Sequence, residues 1–146
     1  MKLAICSRSV SNNLQAVNFL NRHFKNVTLN KSNKVLKGKF LYHFVKEHDA
    51  IIVGLEKIDK EFLKNCPRLK FIGKYGVGTN NIDFNELKKR KIKIFLQSGV
   101  NKRSVSEITL CFMLMSLRKI YPTIYQVKKN FWPFFAGKEL TKKTIG

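Results

Sequence analysis

Short apolar runs along this chain alternate with stretches in which apolar residues return every three or four positions. Residues 3–6 (LAIC) make the first run and residues 26–30 (NVTLN) the second. Residues 50–54 (AIIVG) are β-branched, wholly apolar and closed by glycine, the pattern of a strand buried on both faces. Residues 69–73 (LKFIG) and 92–96 (IKIFL) complete the set of strands. Between the first two runs, Leu14, Val17, Phe19, Leu20 and Phe24 recur at helical spacing. Residues 36–47 predict a second helix, and residues 60–66 (KEFLKNC) a short one stopped by Pro67. Residues 83–91 (DFNELKKRK) predict a helix with Asp83 as its N-cap. The polar SRSVSNN after the first strand reads as a loop. Strands alternating with helices in this way specify an α/β domain, a parallel sheet with helices on both faces.

Beyond residues 97–101 (QSGVN) the pattern changes. Ser104 and Glu107 stand three apart, the spacing of a capping box, and predict a helix running to about Ile120 and ending before Pro122. Its stretch ITLCFMLMSL, residues 108–117, is apolar nearly all round rather than along one stripe. Such a helix needs cover on several sides, from a domain core or from a partner subunit.

Composition narrows the classes. The 146 residues are 44% apolar, enough for a packed core. Lys and Arg outnumber Asp and Glu by 29 to 9, a net charge of +20, which raises the question of a polyanionic partner. The basic residues are spread from Lys2 to Lys143 rather than clustered, and no base-stacking aromatic motif accompanies them, so nucleic-acid binding is expected to be weak and non-specific if it occurs. Cys6, Cys66 and Cys111 are odd in number and lack C-x-x-C spacing, which suggests neither a disulfide framework nor a metal site and fits a cytoplasmic setting. No signal peptide or membrane span is read from the apolar runs.

The loop KYGVGTNNID, residues 74–83, follows a strand and opens toward a helix. Gly76 and Gly78 allow positive φ and close backbone approach, and the N–H groups of Val77 and Gly78 are placed to converge on an anion. Asn81 stands where G-x-G-x-x-G requires its third glycine, so this is not a dinucleotide fingerprint. A plain tight turn accounts for the same residues. Lys74 adds a positive charge beside the loop. Asn101 both donates and accepts, which suits a hydroxy or keto acid, although an Asx-type bond to nearby backbone explains it equally well. His23, His43 and His48 have no acidic or nucleophilic partner at a telling spacing and read as structural or solvated.

Three ordered segments carry a resemblance. Residues 68–95 (RLKFIGKYGVGTNNIDFNELKKRKIKIF), 99–120 (GVNKRSVSEITLCFMLMSLRKI) and 131–146 (FWPFFAGKELTKKTIG) together resemble the D-isomer-specific 2-hydroxyacid dehydrogenases, most of all their 3-phosphoglycerate dehydrogenase branch. Residues 49–73 are also similar. The resemblance implies a flavodoxin-like substrate domain over residues 1–99. It implies that residues 100–146 are a linker helix and the truncated start of an NAD-binding Rossmann domain, because "GKELTKKTIG" leads in such enzymes into the strand before the NAD loop. The implied reaction is hydride transfer between NAD and a D-2-hydroxy acid. The resemblance implies that Val77 and Gly78 receive the substrate carboxylate and that Asn101 lies on the substrate side; together with Lys74 and Gly76 from the loop itself, these are the candidate substrate-binding residues. Ile108, Phe112, Met113 and Leu117 are implied to pack across a dimer. The family's catalytic arginine, glutamate and histidine have no counterparts here, so no catalytic residue is assigned, and neither NAD binding nor activity is expected of this chain alone. Two departures stand out: Gly54-Leu55 replace an Arg-Ser pair frequent in the phosphoglycerate branch, and Asn80 replaces a frequent Asp. The other readings are a regulatory or oligomerisation module derived from the family, and a basic nucleic-acid-binding domain.

Overall fold

The apolar run at residues 50–54 becomes the middle of a sheet. In the computed structural model, which describes residues 1–145, β1 (Lys2–Ile5), β2 (Asn26–Leu29), β3 (Ala50–Val53), β4 (Phe71–Lys74) and β5 (Lys93–Phe95) form one five-stranded sheet in the order β2-β1-β3-β4-β5. Every pairing is parallel; Leu3 faces Ala50, Ala50 faces Phe71 and Phe71 faces Lys93. A strand flanked on both sides must be apolar on both faces. β3 meets this condition, with Ala50, Ile51 and Val53 buried. The edge strands β2 and β5 expose alternate residues instead.

Period-two alternation sorts the side chains onto two cores. Ala4, Cys6, Ile51, Val53 and Ile72 face one side of the sheet. There they pack against Leu41 and Val45 of α3 (Gly38–Val45), Phe62 and Leu63 of α4 (Lys60–Asn65), and Leu87 of α5 (Phe84–Lys89). Leu3, Ile5 and Ala50 face the other side, with Val10 of α1 (Arg8–Ser11) and the half-buried Ala16 and Leu20 of α2 (Leu14–His23). Each fully buried side chain of this size contributes about 1.5–3 kcal/mol by leaving water. The parallel α/β sheet with helices on both faces is thus present.

Helix boundaries follow local capping. Asp59 accepts from the Phe62 amide at 2.9 Å and starts α4, and Asp83 accepts from the Glu86 amide at 3.0 Å and starts α5, as its position predicted. The SRSVSNN segment is not a plain loop. Ser7 turns its hydroxyl to the Val10 amide and nucleates the one-turn α1, and Asn13 caps α2.

The chain divides into two compact units, Met1–Val100 and Asn101–Gly146, of which Gly146 itself lies outside the described residues. The second unit holds α6 (Lys102–Leu117) and α7 (Ile120–Val127). The expected capping box does not form. The N-cap lies three residues earlier than Ser104, at Asn101, which makes no side-chain cap bond, and Glu107 pairs with Arg103 at 3.3 Å across one turn. The expected single helix to Ile120 is broken instead at Lys119, which takes the left-handed conformation at φ 56°. A new helix then begins, and Pro122 sits in its first turn, where its missing N–H has no intrahelical acceptor to lose.

Candidate functional site

In an open parallel sheet, ligands sit outside the carboxyl ends of the strands. Here those ends belong to β1, β3 and β4, followed by Ser7-Arg8, by Gly54-Leu55-Glu56 and by the loop from Tyr75 to Asp83. The loops after β3 and β4 are tied into one piece of backbone. Ile58 and Ile82 form an isolated parallel bridge, the Ile58 amide donates to Asn81 at 2.8 Å, and the Asp83 amide donates to Ile58 at 2.9 Å.

Three side chains tighten this seam. Asn81 donates through Nδ2 to the carbonyls of Glu56 (2.6 Å) and Gly54 (3.2 Å). Lys74 donates through Nζ to the carbonyls of Gly54 (2.6 Å) and Tyr75 (3.2 Å). Glu56 is 1% exposed and accepts the Gly54 amide at 2.7 Å. Burial pulls the Lys74 pKa below its ordinary value, against the attraction of the Glu56 carboxylate. Burial likewise pushes the Cys6 thiol well up, with Glu56 adding to the effect, so Cys6 is a neutral core residue. The sequence reading named Lys74 but missed Asn81 and Glu56. The signal available was a charged residue, Glu56, just past the most apolar strand, where only a satisfied carboxylate tolerates burial.

The glycine loop itself is held in an unusual shape. Gly76 has φ 97°, open to glycine and strained for any other residue. Gly78, expected to share that freedom, does not have positive φ; a Cβ built on it meets nothing nearer than Asn80 Oδ1 at 3.7 Å. Neither backbone conformation nor crowding therefore requires a glycine at this position. Among the described residues the Val77 and Gly78 amides donate to no protein acceptor, and both residues are solvent-exposed. Gly76, Val77, Gly78 and Lys74 are thus together at the end of β4. Asn101 belongs to the second unit, at the start of α6.

Within the second unit, the four residues named for dimerisation fall on two faces of α6. Ile108 and Phe112, one turn apart, are 48% and 61% exposed. Met113 and Leu117 are half-buried and line a cavity with Leu140 and Ile145 of the same unit. The Lys138 amide donates to the Leu117 carbonyl at 2.9 Å, and a Cβ on Gly137 would crowd Arg118 at 3.1 Å, so this strap lies tightly on the end of α6.

The histidines are peripheral: His23 Nδ1 meets the Phe19 carbonyl at 2.8 Å and His48 Nε2 meets Thr28 Oγ1 at 2.9 Å. No group of three or more His, Cys, Asp or Glu residues capable of holding a metal is present among the described residues, nor is any helix long and apolar enough to cross a membrane.

The family profile described as "D-isomer specific 2-hydroxyacid dehydrogenase, catalytic domain" matches residues 5–145. The chain belongs to this family. It is 32% identical over 133 residues to a glyoxylate reductase of Thermococcus litoralis, covering 84% of this chain and 40% of that protein. It is 37% identical over 105 residues to a D-3-phosphoglycerate dehydrogenase of Archaeoglobus fulgidus, covering 70% of this chain and 20% of that one. The chain therefore spans well under half the length of these relatives. Its fold superposes on D-lactate dehydrogenase from Aquifex aeolicus, complexed with NAD and lactic acid, with a TM-score of 0.75 at 23% identity, over 96% of this chain and 41% of that one. NAD-bound 3-phosphoglycerate dehydrogenase of Entamoeba histolytica gives 0.73 at 24% identity, over 96% and 43%. These likenesses establish the flavodoxin-like sheet.

The loop of residues 74–83 and the helix after it do not fit a dinucleotide. There Asn81 occupies the third glycine position with its amide committed to two carbonyls. The helix that follows has its N-terminus filled by the Asp83 carboxylate, with Glu86 beside it, where a pyrophosphate would need bare amides.

Proposed function

We propose that the unit Met1–Val100 is the acid-binding part of an NAD-dependent D-2-hydroxyacid dehydrogenase. In this reading residues 1–99 are the substrate domain. Residues 100–146 are the linker helix and the opening of the nucleotide-binding domain, and Asn101 enters through the family resemblance alone. The observation that carries the reading is the pair of unengaged amides at Val77 and Gly78, presented by a glycine at φ 97° and braced by Lys74 and Asn81. Backbone amides fixed before a ligand arrives hold a carboxylate without reorganisation. The acid is a small 2-hydroxy or 2-keto acid. The hydride donor is not held by these residues, so binding without turnover is expected. With one wall of the cleft supplied, affinity should be millimolar, about −4 kcal/mol.

The test is an amide chemical-shift titration with glyoxylate and with D-lactate, beside an NADH-linked assay. Shifts at Val77 and Gly78 without turnover support the proposal. Shifts confined to surface lysines, or turnover above background, refute it.

We further propose that the second unit self-associates. No residue of α6 is buried, although its middle is apolar nearly all round, and Ile108, Phe112, Trp132 and Phe134 expose a large apolar surface. Light scattering should show a mass above that of the monomer. A monomer at high concentration would count against it.

A further inference from the structure

A cavity of about 260 Å³ opens at the carboxyl ends of β1, β3 and β4. Ser7 and Arg8 line one side, Gly54, Leu55 and Glu56 another, and Gly76 the third. It adjoins the amides proposed to hold the 2-carboxylate. It is smaller than the ~300–1,000 Å³ of pockets for drug-sized ligands, which suits a short chain. Its charges are unevenly committed. Glu56 is bound to the Gly54 amide, and Lys74, which feels the Glu56 charge but does not line the cavity, turns two of its three donors to the Gly54 and Tyr75 carbonyls. Ser7 is turned to the Val10 amide as the cap of α1. Arg8 alone among these charged groups has neither an ion pair nor a side-chain hydrogen bond among the described residues. Gly54 leaves the floor open: a side chain there would press on Ser7 Oγ at 3.1 Å.

We propose that Arg8 determines specificity, selecting 2-hydroxy or 2-keto acids that carry a second anionic group at the far end. The inference rests on the acid-site reading above. An acid anchored through its 2-carboxylate at Val77 and Gly78 directs its remaining substituent along the cavity. The buried Glu56 carboxylate disfavours a second negative charge there unless a cation meets it. The Arg8 guanidinium is that cation, and its planar fork suits a carboxylate and a phosphate alike. A neutral substituent, as in D-lactate, makes no use of it.

Amide titrations of the full chain with D-lactate, D-malate and 3-phospho-D-glycerate test this, read at Val77 and Gly78. At least one of D-malate and 3-phospho-D-glycerate is expected to bind roughly three- to fivefold tighter than D-lactate, the scale of a partly exposed ion pair. Whichever gains more identifies carboxylate or phosphate as the preferred group. Arg8→Gln should abolish the preference and leave D-lactate unchanged, and Arg8→Lys should restore part of it. Lys39→Gln, on α3, controls for the overall positive charge and should have no effect. The inference is overturned if the preference survives Arg8→Gln, if Lys39→Gln reduces it equally, or if all three acids shift the loop with equal affinity. If no acid shifts Val77 or Gly78, the acid-site reading itself fails, and this inference with it.

Discussion

The two glycines of the loop separate stability from binding, and a pair of alanine substitutions reads each one. Gly76 sits at φ 97°, where an L side chain is strained, while the nearest atom to an added Cβ, Lys74 Nζ, is 3.8 Å away. Gly76→Ala therefore costs conformational energy and not a clash. About 1–2 kcal/mol is expected, the cost of forcing an alanine into left-handed space. With a urea slope of ~1.5 kcal/mol/M for a small unit, the midpoint should fall by about 1 M. Gly78→Ala meets neither obstacle. It should leave stability unchanged or raise it by up to ~1 kcal/mol through the unfolded chain. Its methyl group would nevertheless stand beside the amide proposed to receive the carboxylate, and acid binding should be lost. The measurement must follow the first unit. The single tryptophan, Trp132, lies in the second, so amide signals of β4 are the suitable probe. If Gly76→Ala unfolds at the wild-type midpoint, the strain argument is wrong. If Gly78→Ala binds glyoxylate like wild type, close approach at this amide is not required and the clamp is misplaced.

Asn81→Ala removes both bonds to the 54–56 turn, and about 1–2 kcal/mol of stability should go with them, together with the ordered amide shifts of Val77 and Gly78. Burial holds the His48 pKa below 6.5 in the fold, so the unfolded chain protonates first as pH falls. The urea midpoint of the first unit should therefore fall between pH 7 and pH 5, and His48→Gln should flatten that slope; a slope unchanged in the variant would exclude His48 as its source. On α6, Ile108→Glu with Phe112→Glu should lower the mass seen by light scattering while the unit stays folded. Leu117→Glu should instead loosen the strap carrying Leu140, seen as faster hydrogen exchange at the Lys138 amide.

What the sequence determined by itself was the order and kind of the first unit's elements, the one-turn α1 excepted. A run such as Ala50–Val53 has one physical solution, a strand covered on both faces, and five runs separated by helical periods leave a parallel sheet as the only economical arrangement. Asp83 was legible as a cap because a cap is a local interaction, made to an amide three residues on. The glycine loop was legible as a turn that needs positive φ, though not which glycine bears the strain. Tertiary structure decided whatever depends on residues distant in sequence. Asn81 reads as a missing glycine until it is seen reaching back 27 residues to Gly54, and Lys74 reads only as a charge beside the loop until its ammonium is found bridging two carbonyls. Ser104 and Glu107 have capping-box spacing, yet the helix begins ahead of them, and the break at Lys119 rests on one residue's left-handed backbone, which no periodicity announces. Arg8 lies in a stretch that looked like polar loop; only the parallel pairing of β1 with β3 brings it to the cavity beside Gly76.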